Sequence, residues 1–101
     1  MRRLLSVTEA QPAGVAFAVE QAWQLNPQVA LRDESFGALA YHYGNRRLVF
    51  LKSRLLVELV SSLHEYPSAA EALTAMVPEG QHASYRRALA RLAASEVIDA
   101  R

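Results

Sequence analysis

The sequence contains no cysteine. Disulfides, thiolate metal sites and a cysteine nucleophile are therefore excluded, and a reducing compartment is the expected setting. Long hydrophobic runs are missing too. A membrane span needs about 18–20 consecutive apolar residues, and a secretory signal needs an apolar core of about 7–15. The opening segment "MRRLLSVTEAQPAG" offers only a short apolar stretch before Thr8 and Glu9 interrupt it. The expectation is a cytoplasmic protein with no membrane association.

An excess of either charge is also absent. Eleven basic residues face ten acidic ones, a net charge of +1, which is not the balance of a nucleic-acid-binding chain. There is no glycine-rich phosphate loop, no nucleophile elbow and no suggestively placed acid pair. His42, His64 and His82 lie too far apart in sequence for a local metal motif. Ser53 and Ser68 read as helix caps rather than nucleophiles. No catalytic residue, metal site or cofactor is expected.

What is present fits one domain of 101 residues. Residues 1–22 read as a loosely held N-terminal arm or an added helix: "GVAFAVEQAW" has helical composition but no clear cap, and Pro12 and Gly14 break what precedes it. From Trp23 to residue 101 the signals sharpen. Asn26-Pro27 marks a turn, followed by a short strand over Gln28–Arg32. "FGALAYHYGNRRLVFL" then reads as a hairpin, with Gly44-Asn45 as a two-residue type II′ loop whose Gly44 takes φ > 0. That loop sets Tyr43 opposite Arg46, Tyr41 opposite Leu48 and Leu39 opposite Phe50. Those bulky residues share one face and are expected in the core; Ala38, Ala40 and His42, with Leu51, Val49 and Arg47, form the smaller, outer face.

Helices follow. Leu56, Leu59, Val60 and Leu63 make an amphipathic stripe. Ser68 and Glu71 form a capping box that starts a second, short helix, ended by Pro78 and Gly80. A third helix, "ASYRRALARLAAS", sets Tyr85, Leu89 and Leu92 on one face and Arg87 and Arg91 on another. The tail "EVIDAR" is apolar enough to pack back on the sheet. The fold class is α+β, a winged-helix-like domain with a three-stranded antiparallel sheet followed by three helices.

The strand Arg46–Leu51 has no proline and no inward charge, so it is an unprotected edge. From Ser35 to Val57 there are four cations (Arg46, Arg47, Lys52, Arg54) and no acid, so the field beside that edge is positive. An added strand would use the edge backbone for affinity and alternate side chains for specificity.

Two stretches, "LNPQVALRDESFGALAYHYGNRRLVFLKSRLLVELVSSL" and "YRRALARLAASEVI", resemble the small peptide chaperones of mycofactocin biosynthesis, a family of precursor-peptide-recognition domains similar in fold to the chaperone of pyrroloquinoline quinone biosynthesis. The resemblance covers residues 23–98 and is most specific in "VALR…FGALAYHYGNRRLVFLK". It implies a non-enzymatic adaptor that binds the leader of a ribosomally made precursor peptide; with its exposed edge, a monomer or weak dimer is expected. The adaptor presents the leader to a radical S-adenosylmethionine maturase. It further implies that the leader lies along the third strand and against the third helix. The expected peptide contacts are Arg46, Arg47, Leu48, Val49 and Phe50 from the strand and Arg86, Leu89, Ala90 and Ala93 from the helix. Val49→Pro is expected to abolish binding by deleting a ladder N–H.

Blander readings stand beside these. Leu48, Phe50, Leu89 and Leu92 fit a core as well as a ligand site, and Arg86, Arg87 and Arg91 fit a solvated helix face. The N-terminal arm could cover the edge. The alternative function is a winged-helix DNA-binding protein, with those three arginines on the recognition helix. The near-neutral charge and the lack of base-reading side chains among them weigh against it.

Overall fold

The computed structural model describes residues 17–101. Five strands and three helices follow in the order β1 (Trp23–Leu25), β2 (Val29–Glu34), β3 (Gly37–His42), β4 (Leu48–Leu51), α1 (Arg54–Ser62), α2 (Ala69–Met76), α3 (His82–Ala94) and β5 (Ile98–Ala100). Strands β2, β3 and β4 form an antiparallel meander in that order, and β1 pairs with β5 in a separate two-stranded ladder. The architecture is the expected α+β arrangement, a three-stranded sheet followed by three helices, with a closing strand added. The tail pairs with β1 through Ile98–Ala100, and its Glu96 also meets Asn45 at the β3–β4 loop.

The β2–β3 connection is tight, with Glu34 opposite Gly37. Gly37 has φ 149°, and a Cβ there would sit 2.1 Å from the Leu51 carbonyl oxygen. Only glycine allows β4 to lie this close.

The β3–β4 register is the expected one, with Leu39 opposite Phe50 and Tyr41 opposite Leu48. The loop between them is different. Four residues, Tyr43–Arg46, span the turn, closed by the His42 amide on the Arg47 carbonyl at 2.9 Å and the Arg46 amide on the His42 carbonyl at 2.8 Å. Arg46, with φ 66°, takes the left-handed position; Gly44 does not. The cause is side-chain bonding. Nδ1 of His42 accepts from the amides of Gly44 (3.0 Å) and Asn45 (3.1 Å), and Asn45 Oδ1 accepts from the Arg47 amide at 2.9 Å. These bonds favour a wider loop over a two-residue one, and the same opposite pairs survive beyond it.

The core lies on the face opposite to the one its bulk suggested. Ala38, Ala40 and Leu51 are fully buried and His42 is nearly so, whereas Tyr43, Leu48 and Phe50 are exposed. Alanines at Ala38 and Ala40 leave the space that α1, packed against β3, occupies. Bulk comes from the helices instead: Leu56, Leu59, Val60 and Leu63 are buried as the stripe predicts, together with Leu89 and Leu92. Each such side chain contributes about 1.5–3 kcal/mol by burial. Ser53 and Ser68 cap α1 and α2, accepting from the amides of Leu56 and Glu71, both at 3.1 Å.

Of the N-terminal arm, residues 1–16 lie outside the described residues. Residues 17–22 are tied to the domain. The Ala69 and Ala70 amides, at the start of α2, donate to the carbonyls of Gln21 (3.0 Å) and Val19 (2.8 Å), which fills positions a helix cannot satisfy itself. Trp23 is buried, donates from Nε1 to the Ala18 carbonyl at 2.8 Å, and stacks at a tilt on Phe17 with ring centres 5.0 Å apart. Among the described residues no helix is long and apolar enough to cross a membrane.

Candidate functional site

Strand β4 is an edge: in the order β2-β3-β4 no further described strand lies beyond it. The phase of the ladder decides which of its backbone groups are free. Opposite residues in an antiparallel pair alternate between hydrogen-bonded and non-bonded. The bond from the His42 amide to the Arg47 carbonyl makes His42–Arg47 a bonded pair. Tyr41–Leu48 and Leu39–Phe50 are then non-bonded pairs, and Ala40–Val49 and Ala38–Leu51 bonded ones. Leu48 and Phe50 therefore turn their N–H and C=O groups outward to the open edge, and Val49 and Leu51 turn theirs inward to β3. This corrects the expectation for Val49→Pro, which would break the sheet itself rather than the open edge.

Beside the edge runs an open groove of about 420 Å³ between β4 and α3. Phe50, Lys52 and Ser53 border it on the strand side, Leu56 adds an apolar contribution from α1, and Ser84, Tyr85, Ala88 and Arg91 come from α3. The two sides are joined by a 2.7 Å hydrogen bond between Ser53 Oγ and the Tyr85 hydroxyl. Because Ser53 also caps α1, one serine fixes both the start of that helix and its distance from α3.

The expected site residues divide on this geometry. Arg46, Arg47, Leu48 and Phe50 are exposed along β4 and its approach, and Val49 is half-buried. On α3, Arg86 is exposed and Ala90 half-buried, but Leu89 and Ala93 belong to the core and none of the four lines the groove. The helix residues that do line it are Ser84, Tyr85, Ala88 and Arg91. Sequence reasoning missed this stripe, which has its own helical spacing, one step around α3 from the Leu89 and Leu92 stripe.

The electrostatics are one-sided. Arg46 and Arg47 precede β4, Lys52 and Arg54 follow it, and Arg91 lies across the groove, whose lining contains no acid. Among the described residues none of these cations forms an ion pair; the arginine that does is Arg32, with Glu34 at 3.0 Å. Such a site favours an extended ligand carrying negative charge. Among the described residues no three His, Asp or Glu side chains come together in a group that could hold a metal ion.

Known proteins resemble the chain over most of its length. The chain is 42% identical over 102 residues to the peptide chaperone MftB of Mycobacterium ulcerans, covering 97% of this chain and 94% of that protein. It is 46% identical over 85 residues to the peptide chaperone MftB of Mycolicibacterium smegmatis, covering 83% of each. To the peptide chaperone MftB of Mycobacterium tuberculosis it is 42% identical over 83 residues, covering 81% of this chain and 76% of that one. No solved structure matches it significantly. The model of the peptide chaperone MftB family matches residues 22–99, from the residue before β1 to the middle of β5. By that match and those identities, the chain belongs to the peptide chaperone MftB family, non-catalytic peptide chaperones of mycofactocin biosynthesis.

Proposed function

We propose that the protein binds the leader of a ribosomally made precursor peptide as a fourth strand on β4 and presents it to a radical S-adenosylmethionine maturase. The observation that carries this reading is the open edge: Leu48 and Phe50 hold their ladder groups toward solvent beside a groove rimmed by cations. Strand addition supplies affinity through the backbone, and the groove takes the side chains that point toward α3. Arg46, Arg47, Lys52 and Arg91 steer an acidic leader and disfavour a basic one. Peptide contacts on α3 are assigned to Ser84, Tyr85, Ala88 and Arg91, with Arg86 and Ala90 outside the groove and Leu89 and Ala93 buried in the core. The interface is small, below about 1,200 Å².

The test is a titration of isotope-labelled protein with a synthetic mycofactocin-type precursor peptide, followed by backbone amide NMR. Shifts concentrated at Arg46–Lys52 and on the Ser84–Arg91 face of α3 are expected. Absence of shifts at saturating peptide would overturn the reading.

A further inference from the structure

The outer face of the meander is apolar and has no covering layer among the described residues. Leu48 and Phe50 are 56% and 55% exposed, and Phe36, 43% exposed, lies against Phe50 with ring centres 5.8 Å apart. Tyr41 continues the surface beside Leu48, its direct cross-strand neighbour. A patch of this kind on a small domain calls for an occupant.

Its position names one. The side chains of Leu48 and Phe50 belong to the two residues whose backbone groups face the open edge. A strand added there has side chains alternating between the two faces. Those on one face enter the groove by α3; those on the other stand beside Leu48 and Phe50. Phe50 borders both surfaces, so the patch is continuous with the groove. We infer that the outer patch of Phe36, Leu48 and Phe50 is a second row of recognition subsites, read by the outward side chains of the same bound strand. The inference rests on the edge-binding reading and narrows its ligand. The bound segment is apolar at two outward positions, two residues apart, as well as at an inward position between them, with acids at its flanks opposite the cations. A strand apolar on its groove-facing side alone would leave the patch exposed.

The experiment measures dissociation constants by calorimetry for the synthetic precursor peptide with wild-type protein, Leu48→Thr and Phe50→Thr. Threonine keeps strand propensity, and both side chains are exposed, so the fold is retained. Each variant is expected to bind about two- to fivefold more weakly, the loss of a cross-strand apolar pair. Alanine substitution along the peptide's apolar positions then gives a double-mutant cycle. Coupling to Leu48 and Phe50 is expected at peptide positions of one parity, with the other parity coupling to Ala88→Ser in the groove. Wild-type binding at the edge with unchanged affinity in both threonine variants would overturn the outer subsites and leave the edge reading standing. No binding by the wild-type protein would overturn both.

Discussion

Nδ1 of His42 accepts two backbone hydrogen bonds, from Gly44 at 3.0 Å and Asn45 at 3.1 Å. One buried ring therefore shapes the loop that delivers the chain into β4. Removing it in His42→Ala strands two amides and empties a site that is 3% exposed. The expected cost is about 2–3 kcal/mol, since an unsatisfied buried donor costs roughly 1–3 kcal/mol and water reaches part of the loop. Urea denaturation measures it, and faster exchange of the Gly44 and Asn45 amides would locate it.

Gly37→Ala sets a Cβ against the Leu51 carbonyl, 2.1 Å away, at φ 149°. Both the conformation and the contact oppose it, so a loss of about 3 kcal/mol or more is expected. The strain falls on β4, so amide shifts there should accompany the lower melting temperature. A variant as stable as the wild type would contradict the close strand approach.

Ser53→Ala removes an N-cap and the partner of Tyr85 together. A cap contributes about 1 kcal/mol and a hydroxyl pair about another, so a combined loss of roughly 2 kcal/mol is expected. Tyr85→Phe keeps the cap and should lose only about half as much. Comparable losses in the two variants would mean that the cap contributes little.

Charge reversal at Arg46 and Arg47 tests their steering role. With glutamate at both, association with an acidic precursor peptide should slow at low salt, and dissociation should change little. Stopped-flow fluorescence separates the two rates. The same reagents address DNA: binding driven by phosphates would fall with salt at a slope of about −0.9 per phosphate contacted. The peptide complex should show a much shallower dependence.

Several of these relationships were legible in the sequence and others were not. The register of β3 on β4 was, because a two-residue and a four-residue loop centred on Gly44-Asn45 yield the same opposite pairs. The loop type was not, since it depends on His42 and Asn45 side chains bonding to the backbone. The caps at Ser53 and Ser68 and the Leu56–Leu63 stripe follow local rules and were readable. Which face of the sheet meets the helices was misread. Bulk is not the sign of burial in this sheet, because the helical layer brings its own leucines and needs small residues, Ala38 and Ala40, opposite them. The strands β1 and β5 escaped notice because each has three residues and is defined by a partner over seventy positions away. On α3 the leucine period marks only the core side, so it does not reveal that Ser84, Tyr85, Ala88 and Arg91 line the groove.

The cations at the two ends of β4 bear on how the protein stores an open strand. A second copy adding itself antiparallel would bring its Arg46 and Arg47 toward Lys52 and Arg54 of the first, and the reverse at the other end. Like charges meet at both ends, so the edge repels its own kind while it attracts an acidic strand. Proline, bulges or a covering loop would also prevent self-association, but they would close the edge to every ligand. Charge closes it to one class only. The protection fades with ionic strength, as the screening length falls from about 8 Å at physiological salt to about 3 Å at 1 M. The salt that slows the peptide's arrival is thus the salt that lets two edges meet, and concentrated brine is where this small domain would begin to pair into dimers.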